Sequence, residues 1–97
     1  MHALVVLYGL RGIGTAAHAE LADQLAPALA AVPGLVSRMQ LENTASGRHG
    51  IFYLFASRPD FDRFVASELY GVTHEHAAVT EVAASDFAIP DRGRSSQ

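Results

Sequence analysis

Leu35-Val-Ser-Arg-Met-Gln-Leu-Glu-Asn43, then Thr44-Ala-Ser-Gly-Arg48, then Gly50-Ile-Phe-Tyr-Leu-Phe-Ala56 is the stretch that decides the fold. In its first part Leu35, Ser37, Met39 and Leu41 alternate with Val36, Arg38, Gln40 and Glu42, the two-residue period of a half-buried strand. The middle is turn chemistry. In the third part both alternating sets, Ile51, Tyr53, Phe55 and Phe52, Leu54, Ala56, are apolar, so this strand lies at the centre of a sheet and joins the first in a hairpin.

Upstream, Ala3-Leu-Val-Val-Leu-Tyr8 reads as a buried strand that ends at Gly9, Gly12 and Gly14. Thr15 is placed to cap a helix whose apolar stripe, Leu21, Leu25, Leu29 and Val32, ends at Pro33-Gly34. Pro27 removes one backbone donor, and a kink or break near Ala26 is expected. Downstream, Ser57-Arg-Pro-Asp60 has the form of a helix-capping box, and Phe61, Phe64, Val65 and Leu69 make the second helical stripe, interrupted at Gly71. Thr73 to Ala78 reads as a short irregular or helical piece. Val79 to Ile89 reads as the last strand.

The order βαββαβ predicts a ferredoxin-like α+β sandwich, two helices on one face of a four-stranded antiparallel sheet, in a single domain over residues 1–90 with a flexible tail over 91–97. A 97-residue chain that is 49% hydrophobic and 18% charged has the means to fold. Two helices cover one sheet face, which leaves an apolar second face. A second copy packed on it about a two-fold axis, a dimeric α+β barrel, is the expected closure.

Composition excludes several functions. The formal net charge is −3 and the seven cations, all arginine, are scattered, so no basic stripe offers itself to nucleic acid. The absence of cysteine removes disulfides, thiolate metal sites and thiol nucleophiles. No apolar run is long enough to span a bilayer, and a cytoplasmic protein is expected. Gly9-Leu-Arg-Gly-Ile-Gly14-Thr15 has neither the lysine nor the spacing of a nucleotide loop and reads as a tight strand-to-helix connection.

Gly50-Ile-Phe-Tyr-Leu-Phe-Ala56, Phe61-Asp-Arg-Phe-Val65, Val79-Thr-Glu-Val-Ala-Ala-Ser-Asp-Phe-Ala-Ile89 and the proline-bearing Gln24-Leu-Ala-Pro27 helix resemble the YdhR-type mono-oxygenases of the dimeric α+β barrel superfamily. The resemblance runs from about Leu4 to Pro90. It implies a cofactor-free mono-oxygenase of an aromatic or polyketide-type small molecule, in which a base makes a carbanion that itself reduces dioxygen. A cyclase or isomerase, or a non-catalytic ligand-binding dimer, are the alternatives.

Within that reading His74, in His74-Glu75-His76 ahead of the last strand, is the candidate base, because an imidazole accepts a proton at neutral pH. His76, Tyr53, Arg38 and Ser37 are the candidate substrate contacts. Arg38 stabilises an enolate or phenolate by charge-assisted hydrogen bonds, and Ser37 belongs to the opposite face of its strand. Phe52, Phe55, Phe61, Phe64 and Met39 can wall an apolar pocket. No cofactor or metal is expected; a metal on His74 and His76 would need a third ligand from His49, Glu81 or Asp86. Tyr8 and Tyr70 read as structural, His18 as an exposed flank residue and His2 as frayed.

Overall fold

The computed structural model describes residues 1–12, 14–74 and 79–90. The elements are β1 (His2–Leu10), α1 (Thr15–Ala30), β2 (Leu35–Asn43), β3 (Arg48–Phe55), α2 (Arg58–Val65), α3 (Glu68–His74) and β4 (Val79–Ala88). The sheet order is β2-β3-β1-β4, with every neighbouring pair antiparallel, as the ferredoxin-like reading requires. The tail, 91–97, lies outside the described residues.

The hairpin turn closes as its residues dictate. Asn43 Oδ1 accepts from the Ser46 amide at 3.1 Å, the Gly47 amide donates to the Asn43 carbonyl at 2.9 Å, and Gly47 takes φ 71°. Ser57 caps α2 by accepting from the Asp60 amide, with Pro59 in the first turn.

Four local expectations need correction. The α1 cap is Gly14, with no side-chain hydrogen bond, rather than Thr15. Pro27 does not break the helix: α1 runs on to Ala30 with the proline in its last turn, so the single amide hydrogen bond it forfeits leaves the preceding turns intact. The second helical segment divides at Ala66 and Ser67, not at Gly71. There the Ser67 hydroxyl donates to the Phe64 carbonyl at 2.5 Å and accepts from the Tyr70 amide at 3.3 Å, so one side chain ends α2 and starts α3. Finally, His2 is not frayed. It is 3% exposed, its Nε2 lies 2.6 Å from Asp86 Oδ2, and its ring meets Phe61 at 4.6 Å.

Leu4, Val6 and Tyr8 of β1, Ile51, Tyr53 and Phe55 of β3, Leu29 of α1, and Phe61 and Phe64 of α2 form one core under the helices. Phe55 meets Phe61 at 6.1 Å and Phe64 at 5.4 Å, so these rings fill the interior rather than wall an open chamber. Phe52 and Met39, which pair with each other, belong to the other face. The five aromatic and methionine residues expected around one pocket are therefore split between two faces.

On the uncovered face stand Met39, Leu7 and Phe87, which are 56%, 40% and 57% exposed. Gly34 connects α1 to β2 at φ 78°, and a β-carbon there would collide with the Asp60 side chain that helps to cap α2. Gly34→Ala is expected to destabilise the fold by at least about 2 kcal/mol, combining left-handed backbone strain with that collision. Chemical denaturation checks it; an unchanged midpoint would show that Asp60 yields freely.

Candidate functional site

Antiparallel register sets three polar rows on the face beneath α1. Arg38 pairs with Tyr53, which pairs with Leu4; Gln40 pairs with Ile51, then Val6; Glu42 pairs with His49, then Tyr8. The edge strand β2 thus presents Arg38, Gln40 and Glu42 toward the helix layer, and Ser37, opposite Leu54, toward the other face. Between Leu35 and Ser37 the register slips, a bulge that turns the edge strand at this point.

At the first row, Tyr53 is fully buried, with its ring 5.0 Å from Phe64 and 6.1 Å from Phe55. Burial pushes its phenol well above the ordinary range; the Arg38 guanidinium pulls in the opposite direction and Tyr8 and Tyr70 add to the rise. Arg38 is half-buried, and its Nη1 is buried without a hydrogen-bond acceptor among the described residues. None of the four ion pairs found there uses it: His2–Asp86, Arg48–Glu81, Arg58–Asp62 and Arg63–Asp60 take the others. A buried cationic donor with no acceptor is costly in a folded protein and rare. Beside it, Arg38 and Ser37 line a cleft of about 240 Å3 with Ala26, Ala30, Leu35 and Val36, between the end of α1 and the edge strand.

At the third row the sequence reading of His18 fails. His18 is half-buried against the sheet, with Nε2 2.7 Å from the Tyr8 hydroxyl and its ring 4.8 Å from that of His49. Burial lowers its pKa, His49 lowers it further, and Glu42 opposes both. Under the ring, a cavity of about 30 Å3 is lined by Leu21, Ala22, Leu25, Leu29, Gln40, Ile51 and the Tyr8–His18 pair. That is room for about one water molecule, not for an organic substrate.

The structure makes Arg38 and Tyr53 register partners on the helix-covered face; Ser37 belongs to the other face of the edge strand and meets Arg38 only at the rim of the cleft by the end of α1. His74 is the last residue of α3, its side chain outside what is described, and His76 lies outside the described residues. Among the described residues no three His, Asp or Glu side chains come together as a metal site. Of the third ligands considered, Asp86 is engaged by His2, Glu81 by Arg48, and His49 stacks with His18 and Tyr8. No helix among the described residues is long and apolar enough to cross a membrane.

The family model described as "Putative mono-oxygenase ydhR" matches residues 4–95, nearly the whole chain. The chain belongs to the ydhR family. Solved structures share the fold: a mutant of SnoaB, a cofactor-independent oxygenase from Streptomyces nogalater, at 16% identity and TM-score 0.72 over 90% of each chain. Rv0793 from Mycobacterium tuberculosis aligns at 22% identity and TM-score 0.74, over 93% of this chain and 95% of its own. A mutant of MhuD carrying two manganese protoporphyrin IX molecules per active site aligns at 13% identity and TM-score 0.71, over 92% and 94%. No curated protein matches by sequence. At such identities these solved structures speak for a common fold, and chemistry has to be argued from the side chains.

Proposed function

We propose that this ydhR-family chain is a cytoplasmic homodimer that oxygenates an aromatic or polyketide-type small molecule without flavin, haem or metal. The observation that carries the reading is Arg38, a half-buried guanidinium with a buried, acceptor-free nitrogen, set beside Tyr53 at the edge of a cleft. An enolate or phenolate oxygen supplies the missing acceptor, and its charge grows as the substrate loses its proton, so the contact strengthens toward the transition state. Ser37 at the cleft and His76 contribute ring-substituent contacts, and a histidine takes the proton; His74, at the end of α3, is the residue that the sequence nominates.

The reaction balances without an added cofactor. The base removes a proton from an activated CH2, and the carbanion adds to dioxygen as a hydroperoxide. Loss of the second C–H proton breaks the O–O bond and leaves C=O and one water. All four electrons that reduce O2 come from the carbon. The likeness in fold to SnoaB, an oxygenase described as cofactor-independent, supports the same class.

Metal-stripped protein offered anthrones and naphthols under oxygen and under nitrogen tests it. Product is expected only with oxygen and unchanged by chelator. A rearranged product at equal rate under nitrogen would make the chain a cyclase or isomerase, and an unaltered compound retained by the protein would make it a binding module.

A further inference from the structure

The pair formed by Tyr8 and His18 bridges the first helix and the first strand, yet packing does not need it. Leu21, Leu25 and Leu29 already hold α1 to the sheet, and a leucine at position 18 would bury more apolar surface without bringing a titratable ring inside. The ring also borders two spaces, the cavity of about 30 Å3 and a cleft of about 110 Å3 that Ala19, Gln40, Glu42, His49 and Gly50 line as well. His18 is therefore an imidazole that a molecule seated between α1 and β2 can meet, and the one on the helix side.

We propose that His18, oriented by Tyr8, is the catalytic base of the reaction proposed above and acts from the end of the α1–β2 seam opposite Arg38. The inference rests on that reading for its substrate but not for its geometry. The Tyr8 hydroxyl, 2.7 Å from Nε2, serves the ring as donor or as acceptor; in the tautomer whose Nε2–H donates to it, Nδ1 is the nitrogen left to take a proton. The groups that face the ring are Tyr8 from β1, His49 from β3 and Glu42 from β2. Burial and then His49 lower the pKa of the imidazole, and Glu42 acts in the opposite sense, favouring the imidazolium. Tyr8 is a positioning residue: its hydroxyl, 2.7 Å from Nε2, holds the ring in one orientation.

The spacing also restricts the substrate. Four residues of extended chain separate Arg38 from Glu42, about 13 Å at a strand's rise. A gap of this order, shortened by two reaching side chains, favours a fused multi-ring compound with an oxygen at one side and an acidic C–H toward the other over a single ring.

The test uses 4-nitrophenol, coloured only as the phenolate, bound to the whole protein below the phenol's own pKa and without any need for oxygen. Wild-type protein is expected to ionise the bound probe. In His18→Gln the ionised fraction falls by at least about tenfold while the probe still binds, and Tyr8→Phe shifts the midpoint of the pH profile. Colour retained in His18→Gln overturns the proposal, as does a wild-type protein that leaves the probe un-ionised. If the colour behaves as expected and no anthrone is oxygenated, the oxygenase reading fails and the base stands.

Discussion

Replacing Arg38 by methionine is expected to lower kcat/KM by about 10²–10³-fold, with most of the loss in kcat. Methionine keeps much of the apolar stem and removes the charge. The cationic Nη1 has no acceptor among the described residues, so little native hydrogen bonding disappears with it. Stability is therefore expected to hold or rise slightly, because a desolvated charge has been taken out. The split between kcat and KM is the informative part. A guanidinium that merely attracted an anionic substrate would change KM; one that meets a developing oxyanion changes the rate of the chemical step. Arg38→Lys should recover only part of the rate, since an ammonium restores charge but not the planar two-nitrogen fork. Steady-state kinetics beside thermal melts check it, and a variant with wild-type kcat would take Arg38 out of the chemistry.

The second large effect concerns the bare sheet face. Met39, Leu7 and Phe87 stand exposed on three different strands of it, and helices cover only the other side. A second copy of the same face is the occupant that matches this surface in size and in apolar character, and two-fold closure leaves no sticky remainder. Phe87→Asp combined with Met39→Asp introduces two carboxylates per chain. Both positions are open in the single copy, which therefore should fold unaffected, whereas the dimer would have to bury four unpaired charges. Self-association is expected to weaken at least about a thousandfold, about 4 kcal/mol. Sedimentation equilibrium should read twice the 10.3 kDa chain for wild type and the single chain for the variant. A wild-type monomer at micromolar concentration would leave that face without its occupant.

The fold was legible because its decisive segments obey two short periods. In β2 alternation identified the strand and in β3 an apolar run on both faces did, and the Ser57 capping box located the start of α2. Where one residue could end or merely indent a helix, local rules were too weak: Pro27 sits close enough to the end of α1 to be absorbed, and Ser67 offers both an acceptor and a donor where Gly71 offers neither.

The geometry around the candidate residues was legible in part. Arg38 and Tyr53, named from neighbouring strands of the sequence, are register partners across β2 and β3. His18 was missed because its partners, Tyr8 and His49, come from other strands and the glycine-rich connection hides the approach. A signal did exist: His18, Leu21, Leu25 and Leu29 continue one helical stripe toward the N-terminus, just as His2 continues the alternation of Leu4, Val6 and Tyr8. A histidine in phase with a buried stripe is a buried histidine until shown otherwise.

The most direct measurement is the fate of labelled oxygen. Turnover of an anthrone by metal-stripped protein under 18O2 should place one 18O in the new carbonyl and one in water, with one O2 consumed per product. Product that carries no label, or that forms as fast under nitrogen, would contradict a substrate carbanion that reduces dioxygen by itself.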